Sequence, residues 1–327
     1  MNRQGAKSGF LSVLLRRLGR HTLTRCFPAR TGRLGFPRQL ASLLCLITAY
    51  AISGGTSARG IVIRDDQPDQ SYLDLGASPD YASVGTFANV LTGCGTLIAP
   101  DWVVTAAHLI IAGSSSFTIN GTTYAADQVI KYPQYVYGQE IQGYDIALAH
   151  LTTPVSGVTP ATVYSASLEP VPVMTFVGFG MTGTGLTGQT KADFTKRACQ
   201  NVADGDFGNP TFLLGSDFDN PHSAAGNVFG SPTPLTLEGC VANGDSGGGV
   251  FYTVGSQTYL AGVISFVASS HGSPNSSYGN VMGFGNLSSY NDWINSKIPE
   301  PSTFGLTGLG AACMLFVRRT LARRPRS

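Results

Sequence analysis

Short runs of β-branched and aromatic residues recur along the middle of the chain, separated by clusters of glycine, serine, asparagine and proline. Such runs are typical of strands joined by turns, and no long stretch has the 3.6-residue period of an amphipathic helix. Asn120-Gly121 lies between two runs and predicts a hairpin, and a short helix is predicted near 290–296. The predicted strands are 96–98, 102–105, 116–119, 122–124, 146–150, 171–177, 250–254 and 258–264. We therefore expect an all-β body, either a pair of barrels or a sandwich.

The N-terminal end has a different pattern. A basic stretch of 39 residues is followed by an apolar run at 40–52 and then by small residues. This order is typical of a secretory signal peptide, and 13 apolar residues are too few for a spanning helix, which needs about 20. We expect a signal peptide over 1–58, with signal peptidase cutting after Ala58.

The C-terminal end combines Pro299-Glu300-Pro301 with an apolar run at 304–317 and an arginine-rich terminus. At 1.5 Å per residue a helix over that run is about 21 Å long, shorter than a bilayer core of about 30 Å. By itself the pattern indicates a marginal membrane anchor, with its arginines held on the cytoplasmic side.

Charge separates the ends from the body. Of the 327 residues only 12% are charged and 43% are hydrophobic, which excludes bulk disorder. Fifteen of the 21 basic residues lie in 1–59 and 318–327. The body between them contains the remaining 6 basic residues and all 19 acidic residues, which gives it a formal net charge of −13. A body this acidic is a poor candidate for binding nucleic acid.

Three short motifs carry candidate chemistry. His108 follows a predicted strand in the string TAAH, Asp145 opens an apolar strand, and Ser246 lies in the glycine turn GDSGG at 244–248. Each alone is weak, but together they follow the chain order His, Asp, Ser of a nucleophilic triad. The turn also matches G-x-S-x-G of α/β-hydrolases, but that fold needs its acid and then its histidine after the serine. Here the one histidine after Ser246, His271, comes before the acids Asp292 and Glu300, which is the reverse order.

With these motifs the body resembles the trypsin-like (chymotrypsin-fold, S1-type) serine proteases. The segments 94–98, 177–180, 262–266 and 290–298 also resemble that family. The resemblance implies a protease domain over 60–298, built from two six-stranded antiparallel Greek-key β-barrels and a short C-terminal helix. The barrels are expected at about 61–165 and 166–297.

The resemblance also implies roles for individual residues. His108 is expected to act as general base, Asp145 to orient it and Ser246 to attack the peptide carbonyl, without a cofactor or a metal. The N–H groups of Gly244 and Ser246 are expected to form the oxyanion hole. Four further residues are expected to bind substrate: Cys240, Ser265, Phe266 and Val267. Because Cys240 is not acidic and Val267 narrows the pocket, we expect a small or medium apolar P1 residue.

The chain departs from the family at its expected mature start. Ile61-Val62 lacks the two following glycines, which leaves cleavage activation open. Asp245 needs a partner if it is buried, and Arg197 and Arg64 are the candidates.

The cysteines and one acidic segment leave alternatives open. Leu109 stands where many family members have the disulfide partner of Cys94. The body then holds Cys94, Cys199 and Cys240, for which a Cys199–Cys240 bond is slightly favoured over three free thiols. The acidic segment 217–220 fits a calcium ligand set or, as the favoured alternative, a solvated turn.

The C-terminal segment resembles the PEP-CTERM sorting signal of Gram-negative bacteria. It implies an exosortase-type sorting enzyme that recognises Pro299-Glu300-Pro301, and transient membrane association through a tail at 299–327. We thus expect a protease acting on proteins or peptides in the periplasm, on the outer surface or in the extracellular matrix. The alternative is a catalytically silent, matrix-associated binding module on the same fold.

Overall fold

The computed structural model describes residues 60–192, 194–224, 226–269, 272 and 274–298. The predicted signal peptide and sorting tail lie outside them. The chain divides into one unit that ends at Ser289 and a second that begins at Tyr290. In the first unit the described strands are β1 Val62–Ile63, β2 Val84–Ala88, β3 Thr92–Ala99, β4 Trp102–Thr105, β5 Ser115–Ile119, β6 Thr122–Lys131, β7 Ala147–Leu151, β8 Val173–Gly178, β9 Thr182–Thr184, β10 Gly188–Lys191, β11 Arg197–Val202, β12 Leu213–Asp217, β13 Gly239–Cys240, β14 Gly249–Val254, β15 Gln257–Ser269 and β16 Asn280–Asn286.

Six strands close into the first barrel, in the order β2-β3-β4-β7-β6-β5. Strand β5 alternates buried and half-buried residues, so Phe117 and Ile119 point into the barrel together with Phe87 and Leu97. The predicted hairpin joins β5 to β6, and both Asn120 and Gly121 have positive φ angles, of 49° and 75°. The hairpin prediction is confirmed.

The second set of six strands forms a curled sheet in the order β11-β8-β14-β15-β16-β12. Its core holds Phe176, Val250, Ile264 and Phe284, all 0–1% exposed. The expected pair of six-stranded bodies is therefore present, but only the first closes by strand pairing. The all-β class is confirmed.

A separate four-stranded sheet has the order β10-β9-β1-β13. The N-terminal strand β1 joins it by pairing with β13 and β9, both from the later half of the chain. This pairing brings Ile61, just before β1, close to the turn that follows β13.

The sequence predicts a helix only near the C-terminus, and that prediction is wrong. Helix α1 spans Asp69–Gly76 after Pro68, with Asp69 in its first turn. Tyr72 is fully buried and donates its hydroxyl proton to the Glu238 carbonyl at 2.9 Å. Asp69 also binds Arg197 of β11 through two contacts of 2.6 and 2.8 Å. Tertiary contacts with the sheet thus stabilise a segment that has little amphipathic pattern of its own.

The second unit contains helix α2, Asn291–Lys297, as the sequence predicts. Within the described ranges no helix is long and apolar enough to cross a membrane.

Candidate active site

Strand pairing brings His108 to Asp145. Strand β4 ends at Thr105, and His108 lies in the 3₁₀ turn Ala107–Leu109 that follows. Asp145 comes just before β7, and β4 pairs with β7 so that Thr105 lies opposite Ala147. His108 donates its main-chain N–H to Asp145 Oδ1 at 2.8 Å, and its Nδ1 lies 2.7 Å from Oδ2. These two contacts fix the imidazole ring relative to the carboxylate.

Ser265 supports the same carboxylate from the second sheet. It lies in β15 at a bulge between Ile264 and Phe266, where the register against β16 shifts. A bulge redirects a side chain, and the Ser265 hydroxyl donates to Asp145 Oδ2 at 2.5 Å. Because Asp145 is only 2% exposed, this bond and those from His108 satisfy a carboxylate that has little access to water.

Two opposing effects act on the pKa of His108. Burial disfavours the imidazolium and lowers the pKa, whereas the hydrogen bond and charge of Asp145, with the charge of Glu140, raise it. The net direction is upward. The side chain is therefore suited to hold a proton that it has taken up.

The turn around Ser246 depends on two glycines. Gly244 has φ 92° and Gly247 has φ 81°, both in the left-handed region that favours glycine. A Cβ atom at Gly247 would lie only 2.2 Å from the Cys94 carbonyl oxygen. Glycine at both positions thus allows the tight path that carries Ser246.

The N–H groups of the turn fall into two sets. Those of Asp245, Gly247 and Gly248 donate to the carbonyls of Ala242, Ile264 and Asp245 at 2.8–3.0 Å. In the part of the chain that the structure describes, the N–H groups of Gly244 and Ser246 have no acceptor. These two are the predicted oxyanion-hole donors.

Asp245 is fully buried beside Ser246. Its carboxylate accepts three main-chain N–H bonds, from Gly180 at 2.6 Å, Ala242 at 2.8 Å and Ile61 at 3.1 Å. Burial nevertheless raises the pKa of Asp245 to about 7.

The predicted arginine partners of Asp245 are wrong. Arg197 binds Asp69 through Nε at 2.6 Å, and Arg64 binds Asp66 through Nη2 at 2.6 Å. Main-chain N–H groups stabilise the Asp245 carboxylate instead. With these hydrogen bonds the buried carboxylate needs no cation in direct contact.

A cleft of about 260 Å³ opens beside the turn. Its polar lining consists of His108, Tyr137, Glu140, Asn243, Ser246 and Ser265. Its apolar lining consists of Val241, Ala242, Ile264, Phe266 and Val267. The cleft thus holds three of the four predicted substrate-binding residues, while Cys240 is fully buried one position before Val241.

Sequence reasoning missed Tyr137 and Glu140. Both belong to the loop between β6 and β7 that precedes Asp145. The Glu140 carboxylate accepts the N–H of Gly138 at 3.0 Å and the hydroxyl of Tyr135 at 3.3 Å. The signal available in the sequence was a polar loop immediately before Asp145, which alone does not place a side chain.

The slightly favoured Cys199–Cys240 disulfide is not formed, and all three described cysteines are buried free thiols. Cys199 pairs with Phe176 in the β11–β8 register, and Cys240 pairs with Val62. The two cysteines therefore do not face each other across a strand pair.

The acidic segment is not a solvated turn, since Asp217 and Asp219 are each 3% exposed. Burial is the main reason that the pKa of Asp219 rises to about 8 and that of Glu238 to about 7. Among the described residues no group of three or more His, Cys, Asp or Glu side chains is arranged to hold a metal ion.

Comparison with known proteins assigns the family. The family model for trypsin matches residues 76–294, and that for the PEP-CTERM protein-sorting motif matches 297–324. Chymotrypsin-like elastase family member 1 of Homo sapiens is 30% identical over 269 residues, covering 77% of this chain and 93% of that protein. Its counterpart in Felis catus is 29% identical over 279 residues, covering 77% and 91%. The chain belongs to the trypsin family of serine proteases and carries a C-terminal sorting motif.

Two further matches are more limited. A trypsin of Simulium vittatum is 29% identical over 124 residues. The match covers 33% of this chain and 49% of that protein, so the chain spans about half the length of this relative. The structure of mouse neuropsin, a serine protease, superposes with a TM-score of 0.53 and 16% identity, covering 68% of this chain and 98% of that one. That likeness confirms the fold alone. The protease domain and the sorting motif together support an exported protein that has peptide substrates and a sorting partner.

Proposed function

We propose that the chain is a secreted or surface-sorted serine endopeptidase that hydrolyses peptide bonds through His108, Asp145 and Ser246. One observation carries this proposal. A hydrogen-bonded series from Ser265 through Asp145 to His108 opens into the cleft that Ser246 also lines.

The mechanism follows from the roles of these groups. His108 Nε2 takes the proton of the Ser246 hydroxyl as Oγ bonds to the substrate carbonyl carbon, and the carbonyl oxygen becomes an oxyanion. The C–N bond then breaks, and the same proton passes from His108 to the leaving amine. Water attacks the acyl-enzyme by the same steps and releases the acid and Ser246.

The oxyanion needs donors that are in place before the reaction. We propose that these donors are the N–H groups of Gly244 and Ser246. Neither group has an acceptor in the described part of the chain. Loss of one such donor typically costs about 3 kcal/mol in the transition state.

The apolar lining of the cleft supports a small or medium apolar P1 residue. Val241, Ala242 and Val267 offer no charge to a lysine or arginine side chain. The two relatives that cover most of the chain carry the name elastase, whereas the shorter match is a trypsin. Cleavage of a peptide library predominantly after Lys or Arg would contradict this specificity.

We also propose the order of processing. Signal peptidase removes 1–58, the domain 60–298 acts outside the cytoplasm, and an exosortase-type enzyme recognises Pro299-Glu300-Pro301 in the tail 299–327. The location is then the periplasm, the surface or the matrix of a Gram-negative bacterium.

The proposal is tested by treating the full-length protein with a fluorophosphonate probe beside a Ser246→Ala variant. We expect labelling of the wild type, none of the variant, and hydrolysis of peptides by the wild type alone. A folded wild type that neither labels nor hydrolyses any member of a peptide library would favour the catalytically silent binding module.

A further inference from the structure

The thiol of Cys94 connects the first barrel to the turn that carries Ser246. Its Sγ accepts the N–H of Phe179 at 3.3 Å and donates to the Gly244 carbonyl at 3.3 Å. The Cys94 N–H donates to the Ser246 carbonyl at 2.7 Å, and the Cys94 carbonyl accepts the Thr105 hydroxyl at 2.7 Å. This one residue of β3 therefore contacts the turn at two positions.

Of the two bonds from Cys94 to the turn, the one to the Gly244 carbonyl bears more directly on the oxyanion hole. Glycine with φ 92° has access to other backbone conformations at little steric cost. The N–H and the carbonyl of Gly244 belong to the peptide units on either side of its Cα, so rotation about φ or ψ of Gly244 turns one relative to the other, and with it the N–H relative to the position where an oxyanion forms. Within the described residues the Cys94 thiol is the one hydrogen-bond donor to the Gly244 carbonyl.

We propose that the Cys94 thiol is a positioning residue for the oxyanion hole, holding the Gly244 carbonyl so that the Gly244 N–H faces the substrate. This rests on the proposed function, since it assigns a structural support to that same site. Cys94 does not touch the reacting atoms; it acts through Gly244.

The state of the thiol agrees with this role. Cys94 is fully buried, and burial, with the nearby charge of Asp245, raises the pKa of its thiol. The sulfur therefore keeps its proton and can donate it. With one bond accepted and one donated, the thiol also leaves neither the Phe179 N–H nor the Gly244 carbonyl unpaired.

The test compares Cys94→Ser with Cys94→Ala in the full-length protein. Serine retains a donor and an acceptor at nearly the same place, whereas alanine retains neither. We expect Cys94→Ala to lower kcat about fivefold to fiftyfold, less than the hundredfold or more that follows removal of an oxyanion-hole donor. KM stays within about twofold because the bond acts on the transition state. Cys94→Ser returns kcat to within about threefold of the wild type.

A second measurement separates positioning from general stability. A peptidyl trifluoromethyl ketone with an apolar P1 residue forms an oxyanion adduct with Ser246, so its affinity in Cys94→Ala falls by about the same factor as kcat. A peptide carboxylic acid of the same sequence, a product analogue, retains its affinity. Cys199→Ala is the matched control: it removes a fully buried thiol that makes no hydrogen bond to the turn. It lowers the melting temperature while kcat stays unchanged.

The proposal is overturned if Cys94→Ala and Cys94→Ser have equal kcat and equal ketone affinity and differ only in melting temperature. Where Cys94→Ala does not fold, Cys94→Val refills most of the volume without a donor and is held to the same expectations. An inactive wild type that binds no ketone would instead refute the proposed function itself.

Discussion

The main-chain N–H of Ile61 donates a 3.1 Å hydrogen bond to Oδ2 of Asp245, 184 positions away in the sequence. The Ile61 carbonyl is held in turn by the Thr182 hydroxyl at 2.6 Å. Ile61 has φ 63°, a left-handed conformation that costs a β-branched residue about 1–3 kcal/mol and persists only where neighbours determine it. These bonds tie the beginning of the domain to the residue beside Ser246.

A single added carbon at Gly60 tests that connection. A Cβ atom there would lie 2.3 Å from the Gly178 carbonyl oxygen, so Gly60→Ala must displace the segment that carries Ile61. We expect a loss of about 1–3 kcal/mol in the free energy of unfolding. Fluorophosphonate labelling should also slow, because Asp245 loses a donor. Urea unfolding and the labelling rate measure the two effects.

Gly230→Ala is the control for this change. An added Cβ there would meet only a side-chain oxygen, of Asp204, at an ordinary 3.5 Å. The variant should label and unfold like the wild type. Equal behaviour of the two variants would show that the Ile61 segment does not support the turn.

Features with a local cause could be predicted from the sequence. The strand at Trp102–Thr105 and the hairpin at Asn120-Gly121 depend on neighbouring residues, and the structure has both where the sequence places them. The GDSGG string also has a local consequence, since glycine permits the positive φ angles observed at Gly244 and Gly247. The three motifs and their chain order were sufficient to identify the family.

Features that depend on contacts between distant residues could not be predicted from the sequence. Strand β1 has two residues and exists because of its partners β9 and β13. Helix α1 lacks an apolar stripe and is stabilised by β11. The partner of Asp245 was sought among arginines, but main-chain N–H groups, which every residue carries, satisfy it. The sequence cannot indicate which of them converge there.

Glu140 should set part of the pH dependence of catalysis. Its negative charge helps to raise the pKa of His108, so Glu140→Gln should lower that pKa. The acidic limb of the kcat/KM profile then moves to lower pH by a few tenths of a unit, the size expected for one partly solvated charge. The Gln carbonyl can still accept the bonds from Gly138 and Tyr135.

The pH–rate profile of Glu169→Gln provides the comparison. Glu169 is exposed and lines a different groove of the second sheet, so its removal should leave the limb in place. A limb that shifts equally in both variants would indicate a general effect of net charge rather than a contact of Glu140 with the cleft.

Ser265 should affect the rate more than substrate binding. Ser265→Ala removes the 2.5 Å bond to Asp145 Oδ2 and leaves a buried carboxylate with one donor fewer. We expect kcat to fall about threefold to thirtyfold, because the bond orients Asp145 but does not react, so that only part of the roughly 1.5–3 kcal/mol of a charged hydrogen bond is lost from the transition state. Asp145→Asn, which disturbs the histidine tautomer itself, should cost about 10⁴-fold. Steady-state kinetics on a peptide amide substrate distinguish the two. Equal rates for Ser265→Ala and the wild type would exclude this support.

The raised pKa of Asp219 predicts how the free energy of unfolding varies with pH. Its pKa in the folded protein is raised to about 8, and among the described residues its Oδ1 has no hydrogen-bond partner. The folded state therefore binds more protons than the unfolded state, in which the carboxyl titrates near its ordinary value of about 4. The contribution of Asp219 to the free energy of unfolding therefore falls as pH rises from about 4 to about 8. Asp219→Asn, which stays neutral, should be more stable than the wild type by about 1–3 kcal/mol at pH 8.

At pH 4 the same two proteins should differ little, because the wild-type carboxyl is then protonated in the folded state and about half protonated in the unfolded state. Urea unfolding at pH 4, 6 and 8 measures the difference, with Asp74→Asn as control, since Asp74 is an exposed carboxyl on α1. The gain should grow with pH for Asp219→Asn and stay near zero for Asp74→Asn. A gain that is the same at all three pH values would mean that folding does not change the pKa of Asp219.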